Sequence, residues 1–414
     1  MKLVSAAALA ALFAGCAHAE DFGRLWKARI EAAGVEAPAS SPTVAANAQG
    51  RAVEDEFVQC RRKLESEPPA PPPSHQRQRP RWRQAALPAL DFSDPASLAQ
   101  AAQRTADYWR RRRGAAVSVG GRKIAAAELA AALDEIARLA ASGLDGAALQ
   151  SALSSRFDAY EALPDDGGAG KVTGYCAPEI RIVEHAAPGR AVPLYGMPAR
   201  DADRRVANGD ILDGALAGRA PELFGVPNPM DLSSLQTEGS GWGRLPDGRK
   251  VFLKYAGSNG IKWRGVSGAL YSCGITKTKL DGKQLSAFVN ALSFAQQAEV
   301  SALNPSYVFF EALPSGDPTG ASDVALNGGR SIAIDPDRVP FGMPAVLVRF
   351  DADGGRVDGR VVMAHDKGGA IKGGGRVDLY FGAGDAAEQQ ADVQNGPDRL
   401  YVLVPRVDAR GAGR

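Results

Sequence analysis

The chain has 414 residues, more than one hydrophobic core usually serves, so two domains are expected. Its 45% hydrophobic and 23% charged residues are those of a soluble globular protein, and a formal net charge of +2 gives no electrostatic case for nucleic-acid binding. The 47 glycines and 27 prolines favour a protein of many short strands and tight turns.

The first element in chain order is an export signal over residues 1–19. Lys2 supplies the positive start, Leu3 to Ala14 form an apolar run too short to span a bilayer, and Ala17-His18-Ala19 offers a small-x-small cleavage site. Leu12-Phe13-Ala14-Gly15-Cys16 competes with it as a lipobox, in which Cys16 is lipidated and becomes the new N-terminus. Lipidation is put ahead of release, and both outcomes place the protein outside the cytoplasm, in the cell envelope. Residues 20–90 read as a low-complexity tether, stiffened by the run Pro68-Pro69-Ala70-Pro71-Pro72-Pro73. Basic runs at Arg77 to Arg83 and Arg110 to Arg113 read as solvated faces, with contact to an anionic envelope surface as the second reading.

Three helices follow. The first starts at Asp94-Pro95 and ends by Gly114, with Leu98, Ala101, Ala102, Thr105 and Trp109 on one stripe. A second spans about Ala125 to Ala141 around Leu129, Leu133, Ile136 and Ala140, and a third about Gly146 to Tyr160. After Lys171 the pattern turns to strands, broken by one helix from about Asp281 to Ala302 that stops before Asn304-Pro305.

The most informative segment is the glycine-rich stretch from Ala364 to Gly375, which runs into the strand Arg376-Val377-Asp378-Leu379-Tyr380-Phe381. Alternation puts Val377, Leu379 and Phe381 on one face and Arg376, Asp378 and Tyr380 on the other, so Asp378 points away from the core toward an open surface or groove. Gly368, Gly369 and Gly373 to Gly375 allow a bulky polymer to approach the backbone. A phosphate loop is excluded because glycine follows Lys372 where serine or threonine belongs. Gly265-Val266-Ser267-Gly268 is no nucleophile elbow, since its second glycine comes one residue early. His18, His75, His185 and His365 are scattered and no cysteine spacing suits zinc, so no metal and no cofactor are expected.

Seven separated segments resemble, in order, the membrane-bound lytic transglycosylase A (MltA) family of bacterial cell-wall enzymes. They are Val172-Thr173-Gly174-Tyr175-Cys176-Ala177-Pro178, Pro193 to Pro198, Asp231 to Gly241, Tyr255 to Gly260, Asn304 to Phe310, Gly329 to Asp335 and the Ala364 to Gly382 stretch. The resemblance covers about residues 150 to 405. It implies a mainly β fold with N-terminal helices: a double-psi β-barrel with a 3D-type C-terminal part, from residues 91–175 and 317–408, and a smaller inserted β-barrel over 176–316. A groove between the two would hold an elongated glycan.

The chemistry implied is cleavage of the β-1,4 bond between N-acetylmuramic acid and N-acetylglucosamine in peptidoglycan, ending in a 1,6-anhydro ring. Asp378 occupies the family's catalytic aspartate position. Asp366 is its supporting neighbour, holding Asp378 protonated by like-charge repulsion or orienting the sugar. Thr173, Tyr175, Gln236, Ser240, Lys372 and Tyr380 are the candidate substrate-binding residues. Two other readings stand beside this one: a hydrolase using Asp366 and Asp378 as a pair, and an envelope protein that binds peptidoglycan without cutting it.

The expected partners are peptidoglycan strands, with outer-membrane anchoring through lipid on Cys16, for a periplasm-facing monomer. With Cys16 set aside, Cys60, Cys176 and Cys273 leave one pair and one free thiol, and a Cys176 to Cys273 bridge is conceivable. The chain departs from the family pattern at Cys176, which stands for a tyrosine, and at His365 and Lys367 on either side of Asp366.

Overall fold

A computed structural model describes residues 46–66, 80–351 and 353–406. The export signal, Cys16 and the polyproline run lie outside the described residues.

The expected tether contains ordered structure. Helix α1 (Ala46–Ser66) carries Phe57, Cys60 and Leu64 on one stripe, each at most 4% exposed, and buries them against Val266, Leu270, Val289 and Leu303. Spacings of three and four residues mark an amphipathic helix, a signal overshadowed by the small and polar residues before it. Strand β1 (Trp82–Ala85) follows.

Helix α2 (Pro95–Arg111) begins where proline at the first turn and the Asp94 side chain, accepting from Ser97 N at 3.1 Å, predict. The hairpin β2 (Ala116–Val119) and β3 (Arg122–Ala125) leads to α3 (Ala126–Ala140), which packs on α2. Helix α4 (Gly146–Arg156) is shorter than expected. From Phe157 the chain extends into β4 (Phe157–Ala162), because Phe157 and Ala159 alternate into the core and the backbone pairs with β1 and a later strand.

Strand β5 (Gly170–Ala177) enters the main sheet, after which the chain leaves it. The excursion runs through β6 (Glu179–Arg181), β7 (Val192–Tyr195), α5 (Asn208–Leu212), β8 (Glu222–Val226), α6 (Pro229–Glu238), β9 (Gly241–Arg244) and β10 (Lys250–Ser258). It continues with α7 (Val266–Ser272), α8 (Gly282–Asn290), α9 (Phe294–Ala302) and β11 (Val308–Leu313). Its strands form a four-stranded sheet, β11-β10-β9-β6, and the pair β7-β8.

The single helix expected over 281–302 is two. Ser293 caps a new start, its hydroxyl accepting from Gln296 N while Gln296 Oε1 accepts from Ser293 N, a capping box that restarts the helix after Leu292. The disulfide also differs from the conceivable pairing: Cys60 of α1 bonds Cys273, and Cys176 is a buried free thiol.

The chain returns through β12 (Ser331–Ala333), β13 (Pro344–Phe350), β14 (Arg356–Asp366), β15 (Arg376–Ala383), α10 (Asp385–Val393) and β16 (Asn395–Pro405). Six strands in the order β5-β15-β12-β14-β13-β16 close on themselves, because β16 also pairs with β5. Of the six pairings around this barrel β5/β15 and β12/β14 are parallel and the other four antiparallel. Its core is aliphatic, with Val346, Leu347, Val362, Met363, Val377 and Leu379 fully enclosed. Buried Arg330 fixes the helical lead-in to the barrel by donating to Asp94 O, Ser97 Oγ and Val361 O.

Candidate active site

The barrel register determines which side chains meet. In the parallel pair, Asp378 of β15 stands opposite Thr173 of β5, and Tyr380 opposite Tyr175, although some 200 residues separate them in sequence. On the other side Ala333 of β12 stands opposite both Asp378 and Asp366, so the two aspartates flank one short strand. Asp378 is partly exposed, as its place on the polar face of the strand requires, with Val377 and Leu379 buried on the other face.

The two aspartates are held differently. Asp378 Oδ1 accepts from Thr173 Oγ1 at 2.6 Å, and Thr173 Oγ1 in turn accepts from Arg376 Nη2 at 2.8 Å. Asp378 Oδ2 has no protein donor among the described residues. Both oxygens of Asp366 are occupied, Oδ1 by the backbone N–H groups of Ala321 and Lys367 at 2.8 Å each and Oδ2 by the Tyr175 hydroxyl at 3.1 Å. Asp366 therefore orients Tyr175, whose ring lies 5.2 Å from that of Tyr380.

Burial raises the Asp378 carboxyl above its ordinary value and Asp366 adds repulsion, against the opposing pull of the Thr173 hydrogen bond and the Arg376 charge. Burial also raises Asp366, with its backbone donors working the other way. Desolvation and the two aspartates lift the Tyr175 phenol well above its usual range, so it remains a hydrogen-bond donor.

A third carboxyl was not legible in the sequence. Glu238, the last residue of α6, closes on the barrel with Oε2 accepting from Cys176 N at 3.3 Å. Burial first, then the charge of Asp378, pushes it up to about 8. The only signal for it was its place one residue before Gly239, whose left-handed φ of 83° ends the helix and leads the chain into β9.

The other expected residues are dispersed. Ser240 is buried and its hydroxyl accepts from Tyr255 N at 3.0 Å, a backbone support for β10. Gln236 is buried with its amide nitrogen unpartnered among the described residues. Lys372 is exposed beside a separate cavity that Asp378 does not line. Cys176 packs against Ala387, Ala391 and Phe381 beneath α10, so it replaces packing volume on the face opposite Thr173 and Tyr175.

His365 lies in the core and bonds Thr105 Oγ1 at 2.8 Å and Ser331 Oγ at 2.9 Å. Burial depresses it to about 3, so it is neutral and adds no charge beside Asp366. Among the described residues no group of three His, Cys, Asp or Glu side chains could hold a metal ion, and no helix is long and apolar enough to cross a membrane.

Comparison with known proteins agrees with this architecture. Residues 171–311 match the MltA specific insert domain and residues 330–404 the 3D domain. The membrane-bound lytic murein transglycosylase A of Escherichia coli K12 is 32% identical over 258 residues, covering 60% of this chain and 68% of the relative. That of Vibrio cholerae is 29% identical over 238 residues, covering 56% and 64%. The crystal structure of the E. coli enzyme with bound chitohexaose superposes with a TM-score of 0.64 at 23% identity, across 83% of this chain and all of that one. With Asp378 on the outward face of barrel strand β15 and the insert carried between β5 and β12, the chain belongs to the membrane-bound lytic murein transglycosylase A family and is a lytic transglycosylase of peptidoglycan.

Proposed function

We propose that Asp378 is the single acid and base of the reaction, with residues 91–175 and 317–408 as the catalytic unit and 176–316 as an inserted unit that completes the glycan groove. The observation carrying this reading is the asymmetry of its carboxyl: one oxygen is held by Thr173 and the other is unclaimed, in surroundings that favour the protonated form. The protonated carboxyl donates to the oxygen bridging the two sugars while positive charge develops at the muramic C1. The C–O bond breaks, the muramic 6-hydroxyl attacks C1, and its proton returns to Asp378. The products are a 1,6-anhydro end and a free 4-hydroxyl, with the acid restored and no water consumed.

A hydrolase of the ordinary kind needs a second carboxylate free to attack C1 or to activate water. Asp366 has neither oxygen available, which favours the one-carboxyl route. Its role in this reading is to fix Tyr175, whose one hydroxyl proton goes to Asp366 and whose oxygen is left to accept from a sugar hydroxyl. The chitohexaose bound by the E. coli relative supports an extended glycan strand as ligand. Lipidation of Cys16 and anchoring to the outer membrane complete the reading.

Mass spectrometry of sacculi digested by the purified protein tests it: anhydro ends are expected, whereas reducing ends that take up solvent oxygen would sink the mechanism. Asp378→Asn should lower turnover by about three orders of magnitude or more with strand binding retained.

A further inference from the structure

We propose that Arg376 is a positioning residue of the reaction, which acts through Thr173 to confine the acidic proton of Asp378 to Oδ2, the oxygen that no protein group claims. The inference rests on the reading of Asp378 as the glycan-cleaving acid. Register brings the three side chains together. Arg376 and Asp378 lie two residues apart on β15 and share a face, while β5 runs parallel beside them with Lys171 opposite Arg376 and Thr173 opposite Asp378. The Arg376 guanidinium is fixed across the two strands, with Nη1 donating to Lys171 O at 3.3 Å and to Val377 O, and Nη2 donating to Thr173 Oγ1 at 2.8 Å.

The direction of the hydrogen bonds follows from counting protons. A threonine hydroxyl carries one proton and two lone pairs, whereas a guanidinium carries donors alone. With Arg376 donating to Oγ1, the hydroxyl proton points elsewhere, and among the described residues its acceptor is Asp378 Oδ1 at 2.6 Å. The chain of bonds therefore runs one way, from arginine to threonine to carboxyl. Without the guanidinium the hydroxyl would be free to turn and accept from a protonated Oδ1, which would hold the acidic proton against Thr173 and away from the sugar. With it, Oδ1 remains an acceptor in both ionisation states, and the proton sits on Oδ2.

The same arrangement serves the moment when the proton leaves. As Asp378 protonates the bridging oxygen a carboxylate forms, and the Thr173 hydroxyl, polarised by the guanidinium behind it, stabilises the new charge without having to reorient. Burial lowers the Arg376 guanidinium and the charges of Asp378 and Asp398 hold it up, and arginine stays charged throughout the working pH range. The other titratable groups that act on Asp378 or feel its charge are Asp366 of β14, Tyr175 of β5 and Glu238 of α6. Arg376 is the cation among them, so its removal leaves acidic neighbours alone and lets Asp378 keep its proton to higher pH.

The test is steady-state kinetics of Arg376→Met on soluble glycan strands across the pH range of activity, with release of anhydro ends as the readout. Expected are a kcat lower by about ten-fold, a KM within about two-fold of the wild type, and an alkaline limb of kcat/KM displaced upward by about half a unit to one unit. A limb that stays in place or moves down, as it would if Arg376 only supported the fold, overturns the proposal, and so does a loss confined to KM. Should Arg376→Met not fold, neutron diffraction from wild-type crystals at acid pH decides the matter. Deuterium on Asp378 Oδ2, with the Thr173 deuteron directed at Oδ1, supports the relay, and deuterium on Oδ1 overturns it. Wild-type turnover by Asp378→Asn would instead overturn the underlying reading of the acid, whereas an inactive Asp378→Asn beside an unperturbed Arg376→Met removes the relay alone.

Discussion

Replacing Asp398 by asparagine should stabilise the unliganded protein, increasingly so as pH rises. Burial pushes the Asp398 carboxyl up to about 8, and Arg376 is the one opposite charge acting against it. In the unfolded chain an aspartate titrates near 3.9. A folded value above the unfolded one means that the contribution of Asp398 is fully present below pH 4 and is lost as pH rises toward 8. At about 1.4 kcal/mol per unit, the roughly three units between pH 4 and pH 7 remove on the order of 4 kcal/mol. Asparagine has nearly the same shape and no charge to desolvate, so its own unmet hydrogen bonds add only a pH-independent offset. The assay is urea unfolding of both proteins at pH 4.5, 6, 7 and 8.5. The difference in unfolding free energy should grow by about 4 to 5 kcal/mol across this series and level off above pH 8. A flat difference, or a variant that loses stability relative to wild type as pH rises, would refute the reasoning and identify Asp398 and Arg376 as a true ion pair.

Thr173→Val removes the donor that holds the ionised form of Asp378. The alkaline limb of kcat/KM should then move to higher pH, because the acid stays protonated longer, while kcat falls about ten-fold from lost orientation; a limb moving to lower pH would contradict this. Glu238→Gln should remove an ionisation near pH 8. The Asp378 charge is one cause of that raised value, so Asp378→Asn should move the Glu238 ionisation to lower pH, and an unmoved ionisation would show that the two carboxyls do not communicate. Reduction of Cys60–Cys273, which joins residues 213 apart, should cost about 2 to 5 kcal/mol and release α1 from Val266 and Leu270. Melting curves with and without reductant test this, and coincident curves would refute it.

Local pattern carried much of the answer by itself. The Asp94-Pro95 start of α2 and the alternation that exposes Asp378 beside buried Val377 and Leu379 depend on residues a few positions apart, where spacing translates directly into a shared face. Ordered blocks gave the family resemblance, and two of them, 172–178 and 364–382, hold the residues that meet around Asp378. Helix ends were less legible where tertiary pairing overrode propensity, as when β4 drew Phe157 out of a helical run.

Tertiary structure alone decided the chemistry around the acid. Thr173 reaches Asp378 only through the parallel register of β5 and β15, and Glu238 arrives at Cys176 only because the inserted segment folds back onto the barrel. The same holds for Cys60 meeting Cys273 and for Asp398 buried against Gly170. These contacts join residues far apart in the chain, and no local periodicity encodes them. The meeting of β5 with β15 and β16 follows from barrel closure, which buries the aliphatic faces of six strands together, and the Cys60 and Glu238 contacts follow from how α1 and the inserted segment pack.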